Sequence, residues 1–229
     1  MQNDTIQDDA QKVFDTVKNG GVAIFPVTVG YAIVGHREQA IRKIYTAKQR
    51  SFSKPCGMFG NWELFNEVSE VGNREREIVR TITQDYNLPF SVVAPFRTEH
   101  PIFQKLDRFV IENSTKAGTL DLLMNAGPLH DAIAAQSHER QLAVFGSSAN
   151  KSLTGSKFQL QDVEAPVRDV ADLTIDYGLC QYHNPQGRGS TIIDLSNYRT
   201  IRVGCVYDEI CSIVKRHFDI DFKAIMAGD

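Results

Sequence analysis

Basic, hydroxyl and amide side chains gather in five clusters, each near the end of a predicted strand or helix. Arginine makes planar, bidentate contacts with phosphate or carboxylate groups, and lysine supplies a compact positive charge. Serine, threonine and asparagine add neutral donors and acceptors that fix the orientation of a ligand. Together the clusters predict a site for an anionic ligand, although each alone also fits a helix cap or a turn. The clusters are Thr28; Lys48, Arg50 and Lys54; Ser147, Ser148 and Asn150; Arg188, Ser190 and Thr191; and Arg202.

The densest cluster is the segment from Lys48 to Pro55, which holds three cations and two serines. It follows a segment in which apolar residues recur at helical spacing from Ala40 to Ala47. Pro55 disfavours helix for the residue before it, and the apolar residues after it predict a short buried strand. The simpler alternative is a solvated helix end, because cations complement the helix dipole there and charged runs usually lie on the surface.

The composition of the 229 residues is typical of a soluble globular protein, with 42% hydrophobic and 23% charged residues. A net charge of -3 argues against a dedicated nucleic-acid binder, a class that is usually strongly basic, but allows a local basic pocket. The polar, acidic N-terminus predicts no signal peptide, and no apolar run approaches the length of a membrane span. The four cysteines show no CxxC pair or metal-ligand spacing, which predicts reduced thiols and a cytoplasmic location.

Hydrophobic periodicity and turn residues predict a chain in which helices and strands are mixed without strict alternation. This pattern favours an α+β or mixed α/β fold, and without an internal repeat or linker we expect one domain over residues 1–229. The segment 98–125 is ambiguous, with apolar residues that allow a helix before a strand near 119–124. Helices are predicted at 5–18, 38–48, 61–68, 73–85, 128–136, 163–170 and 207–217, and strands at 22–26, 31–35, 56–59, 90–96, 119–124, 142–145, 173–177, 190–194 and 200–203.

In this order, the clusters resemble the motifs of the YrdC/YwlC family, the threonylcarbamoyl-AMP synthases. The basic segment and the two later elements rich in Ser, Thr and Asn are the specific parts of the resemblance, which covers roughly residues 10–215. The matching elements are PTxTxYGL-like at 26–33, KxRxxxKP-like at 48–55, loosely PGPxT-like at 87–91, STSAN-like at 146–150, RxSTIVD-like at 188–194 and RxG-like at 202–204.

The resemblance implies a twisted mixed β-sheet that is surrounded by helices and has a large basic cavity. It implies an enzyme that joins L-threonine, bicarbonate and ATP, the latter bound with Mg²⁺, into threonylcarbamoyl-adenylate and pyrophosphate. The product would serve tRNA modification, with tRNA or tRNA-modification proteins as possible partners and no dedicated protein metal site. The implied roles are catalytic for Lys48 and Arg50, nucleotide-binding for Lys54, Ser147, Ser148, Asn150, Arg188, Ser190 and Arg202, and substrate-binding for Thr28, Tyr31 and Ser91.

Four positions depart from the family pattern. Val27 and Val29 stand where the family has threonines, and Leu88 replaces a glycine. Leu123 falls where the family has an arginine, and a hydrogen bond to a charged group contributes roughly 1.5–3 kcal/mol. These departures leave three alternatives: the family reaction, a divergent paralogue with another amino-acid or carbamoyl substrate, or a non-catalytic protein that binds a nucleotide or RNA.

Overall fold

The computed structural model describes residues 2–223, and its centre is a mixed β-sheet. Within the described residues the sheet has ten strands, ordered β10-β9-β4-β6-β3-β7-β2-β1-β8, with the short β5 paired to β6. Three neighbouring pairs are parallel (β1 with β8, β3 with β6, β4 with β9), and the other pairs among the described residues are antiparallel. The strands are β1 (Ala23–Val27), β2 (Gly30–Gly35), β3 (Gly57–Phe59), β4 (Phe90–Pro95), β5 (Thr115–Lys116), β6 (Thr119–Met124), β7 (Phe145–Ser148), β8 (Leu173–Thr174), β9 (Ile192–Asp194) and β10 (Arg199–Arg202).

Helices pack against both faces of this sheet, which produces two hydrophobic cores. One core holds Ile41 and Tyr45 of the second helix, and the other holds Val13 of the first helix with Ile133 of the sixth. The first strand lies between the cores and is buried throughout, as its continuous apolar run predicts. The helices are α1 (Gln2–Lys18), α2 (Glu38–Lys48), α3 (Trp62–Val68), α4 (Asn73–Arg80), α5 (Arg108–Glu112), α6 (Pro128–Glu139), α7 (Ala165–Arg168) and α8 (Tyr207–Phe218).

The mixed α/β fold expected from the sequence is confirmed, and most predicted elements are present within a few residues of their expected bounds. The predicted helix at 73–85 is α4 continued by a π-helical turn over Thr81–Asp85. The ambiguous segment 98–125 contains a 3₁₀ turn, α5, β5 and β6. All four cysteines are free thiols.

The predicted strand at 142–145 is wrong in its position, because β7 covers Phe145–Ser148 instead. Residues 142–144 precede β7 in the chain and form other backbone hydrogen bonds. The Leu142 amide donates to the Ser137 carbonyl, and the Val144 carbonyl accepts from the Phe59 amide. Two other short strands are shorter than predicted, since β8 ends at Thr174 and β9 begins at Ile192. No helix among residues 2–223 has the length and apolar character needed to cross a bilayer.

Candidate active site

Lys48 at the end of α2 fastens the basic segment to the turn that follows β7. Its side chain is buried, and its ammonium donates hydrogen bonds to the carbonyl of Ser148, the carbonyl of Asn150 at 2.6 Å and Asn150 Oδ1 at 3.3 Å. Burial, and secondly the charge of Arg50, lowers the pKa of Lys48 to about 7. Because its donors are directed at these oxygens, Lys48 positions the turn within the free protein.

The turn from Ser147 to Asn150 is also held from its other side. The Ala149 amide donates to the Tyr31 carbonyl at 2.7 Å, and the Ser152 amide donates to the Lys48 carbonyl at 2.8 Å. Within the turn, the Ser148 hydroxyl donates to Asn150 Oδ1. The turn is therefore a fixed structure that presents the partly exposed side chains of Ser147 and Ser148.

Arg50 organises the rest of the basic segment by folding back on it. Its Nε donates to the Lys54 carbonyl at 3.0 Å and its Nη2 to the Pro55 carbonyl at 2.7 Å. The guanidinium also lies 5.9 Å from the centre of the Tyr45 ring. These bonds fix the guanidinium while leaving it partly accessible, and the Lys54 side chain is exposed.

A second group of polar side chains forms where β4 and β10 meet the segment before β9. Arg202 donates from Nε to the Ser190 carbonyl at 2.9 Å and from Nη2 to Ser190 Oγ at 2.8 Å. Ser190 Oγ also lies 3.0 Å from Ser91 Oγ, and both serines are buried. A Cβ at Gly204 would lie 2.2 Å from the Thr191 amide nitrogen, so only glycine allows this close approach.

Asp121 of β6 interacts electrostatically with Arg50 of the first group and with Arg202 of the second. It was not identified from the sequence as a site residue. Burial raises the pKa of its carboxyl to about 6, and Arg202, Arg50 and a hydrogen bond from Ser91 oppose that rise. Arg50 and Arg202 therefore lie near one carboxylate. Burial alternates along β6, with Asp121 and Leu123 on the less buried face. An acidic residue between the leucines of a predicted strand is the sequence signal that could have indicated Asp121.

Arg202 is exposed to solvent, although protein atoms surround much of its guanidinium. The residue is exposed, yet burial among protein atoms lowers the pKa of its guanidinium, with Asp121 acting in the opposite direction. Both observations fit a side chain on a concave surface, which water enters from one side only. Gly57 on β3 lies between the two polar groups: it pairs with Gly146 of β7, and a Cβ there would lie 3.3 Å from Asp121 Oδ2.

The family model of Sua5/YciO/YrdC proteins, described as "Telomere recombination", matches residues 15–204. The chain belongs to this family. The Sua5/YciO/YrdC membership confirms the resemblance noted from the motifs. No curated protein matches the whole sequence closely enough to count as a relative.

Solved structures similar to this Sua5/YciO/YrdC chain have low sequence identity, so the likeness is one of fold. A hypothetical protein from Streptococcus mutans has a TM-score of 0.77 at 19% identity, with 92% of each chain covered. P. abyssi Sua5 complexed with L-threonine has a TM-score of 0.70 at 18% identity, covering 97% of this chain and 61% of Sua5. E. coli YciO has a TM-score of 0.63 at 18% identity, with 87% of this chain and 92% of YciO covered.

The side chains of the remaining predicted site residues of this Sua5/YciO/YrdC chain take no part in the hydrogen bonds described for the two groups. Tyr31 is buried, and its hydroxyl donates to Asp176 and approaches the Gly178 carbonyl at 3.0 Å, so its placement gives no support to a substrate contact. Thr28 sits in the β1–β2 turn, and its Oγ1 is buried without a hydrogen-bond partner among the residues that the structure describes. The Arg188 side chain is exposed on a loop.

Proposed function

We propose that this chain forms a carbamoyl-adenylate from ATP, bicarbonate and an amino acid. The observation that carries the proposal is the convergence of Arg50 and Arg202 around Asp121, beside the Ser91 and Ser190 hydroxyls. L-threonine is the first candidate amino acid, because the similar Sua5 structure was determined with L-threonine. The product would feed threonylcarbamoyl modification of tRNA.

Positioning and charge neutralisation would account for most of the catalysis in this proposal. The amine joins bicarbonate with loss of water, and the resulting carbamate oxygen attacks the α-phosphate of ATP, which releases pyrophosphate. Arg50 and Arg202 would neutralise the carbamate and the phosphates, and the Ser147–Asn150 turn would orient the nucleotide. Mg²⁺ would arrive bound to the triphosphate and shield its charge.

The departures from the family pattern favour a second candidate function, a divergent paralogue with another amino-acid substrate. Leu123 provides no cation at the position where the family has an arginine, and Asp121 adds a negative charge on the same face of β6. Both changes make the site less positive than the family motif implies. A non-catalytic protein that only binds a nucleotide is the remaining alternative.

Pyrophosphate release that depends on ATP and bicarbonate, measured with a panel of amino acids, tests the proposal. We expect release with at least one amino acid, and a loss of roughly 10- to 100-fold in Arg50→Ala and Arg202→Ala, which corresponds to one charged hydrogen bond each. Arg108→Ala is the matched control, because Arg108 is 90% exposed and pairs with Glu112 on α5.

Three results separate the alternatives. Turnover with an amino acid other than threonine supports the divergent paralogue. ATP binding that Arg50→Ala weakens, without turnover across the panel, supports the non-catalytic protein. Equal behaviour of the two site variants and the Arg108 control would show that the clusters are only caps and turns.

A further inference from the structure

The carboxylate of Asp121 lies near two arginines and the Ser91 hydroxyl, but it forms no ion pair among the described residues. Its Oδ1 is buried and accepts no hydrogen bond from the described residues. Among residues 4–223, no Lys, Arg or His nitrogen approaches the carboxylate within 4.0 Å. A buried acceptor without a hydrogen bond destabilises the protein by roughly 1–3 kcal/mol. A donor from outside the chain that binds Oδ1 would remove this cost.

The neighbouring donors are directed elsewhere. Both Arg202 nitrogens that form described side-chain bonds donate to Ser190, and those of Arg50 donate to the Lys54 and Pro55 carbonyls. The hydroxyl of Ser91, which stabilises the ionised carboxyl, is shared with Ser190. Asp121 is therefore close to two cations without being their hydrogen-bonded counter-ion.

The Asp121 side chain occupies the room that the missing side chain of Gly57 leaves, and the residue is partly exposed to solvent. Asp121 lies opposite Val93 of β4, and on the other side its Oδ2 approaches Gly57 of β3, which has no side chain. Two residues along the same face of β6, Leu123 is partly exposed and offers no polar atom in its side chain. A small cationic group would therefore approach the carboxylate from the solvent-facing side of Asp121.

We propose that Asp121 determines substrate selectivity by accepting hydrogen bonds from an ammonium group of the amino acid, an inference that rests on the proposed function. An ammonium carries three donors and a charge opposite to that of the carboxylate. Arg50 and Arg202 bind the anionic part of the same molecule. The site thereby selects a zwitterion over a purely anionic ligand.

The ammonium could be the α-amino group, which every amino acid has, or an amine on the side chain. Two matched pairs of probes distinguish these sources. L-threonine and 3-hydroxybutyrate differ in the α-amino group, and L-lysine and L-norleucine differ in the side-chain ammonium. Calorimetric titration of each probe into the full chain gives its dissociation constant without requiring turnover.

In at least one pair, we expect the compound that carries the additional amino group to bind at least tenfold more tightly than the compound that lacks it. Asp121→Asn should remove that preference. A hydrogen bond between charged groups is worth roughly 1.5–3 kcal/mol, which is about 10- to 100-fold in affinity. Asp121→Glu retains the charge and should keep part of the preference. Asp8→Asn removes the same charge from the exposed face of α1 and should behave as wild type.

Equal affinity within both pairs, or a preference that survives in Asp121→Asn, overturns the inference. Binding of Mg²⁺ alone that Asp121→Asn abolishes, with no amine preference, overturns it as well and assigns the carboxylate to a metal. Pyrophosphate release separates this result from the proposed function. If Asp121→Asn keeps turnover and its amino-acid preference, the reaction stands and the selectivity role fails. If wild type binds amines through Asp121 but never releases pyrophosphate, the reaction fails and the selectivity role stands.

Discussion

The carboxyl group of Asp121 should make the folded state less stable as the pH rises. Burial raises its pKa from the ordinary 3.8 to about 6, so the folded chain holds this proton more tightly than the unfolded chain. At a pH below the pKa of the unfolded chain, the carboxyl therefore costs the folded state little stability. The cost grows as the pH rises from the unfolded-state pKa to the folded-state pKa, and it is constant at higher pH. At about 1.36 kcal/mol for each pKa unit, the full cost is at most about 3 kcal/mol.

Asp121→Asn removes this ionisation while keeping the shape of the side chain. The variant should gain free energy of unfolding over wild type as the pH rises, by about 2 kcal/mol between about pH 4.5 and about pH 7.5. Comparing the two pH values cancels any effect of the amide that does not depend on pH. Partial exposure of Asp121 makes this figure an upper value, because solvent screens part of the interaction.

Urea denaturation followed by the fluorescence of the single tryptophan, Trp62, measures the difference. Asp8→Asn controls for the change in net charge and should show no such trend. A stability difference between wild type and Asp121→Asn that is constant with pH, or that falls as the pH rises, would refute the burial of this carboxyl. The test concerns the folded chain alone and needs no ligand.

Three further substitutions test the contacts around the site. Lys48→Ala should lower the free energy of unfolding by about 2–4 kcal/mol, because buried carbonyls lose a charged donor, and an unchanged urea midpoint would contradict the fastening role. Ser190→Ala removes an acceptor of Arg202 and should cost about 1–3 kcal/mol and weaken ATP binding in calorimetry; unaltered affinity would place Arg202 outside the nucleotide site. Tyr31→Phe should lower the thermal midpoint through loss of the bond to Asp176 but leave ATP and threonine affinities unchanged, and a selective loss of threonine affinity would restore Tyr31 as a substrate contact.

The elements with strong periodicity could be predicted from the sequence. The bounds of α2 and β6 agree with the predicted 38–48 and 119–124, since each has a regular pattern and clear flanking residues. The position of β7 could not be predicted, because a short apolar run does not show which of its residues pair in the sheet. The run before Phe145 is hydrogen-bonded instead to Ser137 of α6 and to Phe59 of β3.

The site was predictable as a set of residue types but not as an arrangement. Motif spacing indicated Lys48 and Arg50, yet only the structure shows that Lys48 holds the Ser147–Asn150 turn from within the protein. Asp121 was missed because its environment comes from residues far away in the chain, including Arg50 and Arg202. The direction of Tyr31 likewise depends on the pairing of β2 with its neighbours, which no local pattern records.

The pairing of β9 beside β4 has a consequence for how the protein matures. Ser91 pairs with Ile192, so β4 can pair with β9 only after about a hundred more residues have been synthesised. Pairings of such long sequence separation form slowly, and chains begin to fold from the N-terminal end during synthesis. The β1–β2 hairpin and α2 can assemble early, but Ser190 and Arg202 arrive last. A nascent chain on the ribosome should therefore acquire affinity for its ligand only after the segment from Ser190 to Arg202 has been synthesised, well after its central strands have collapsed.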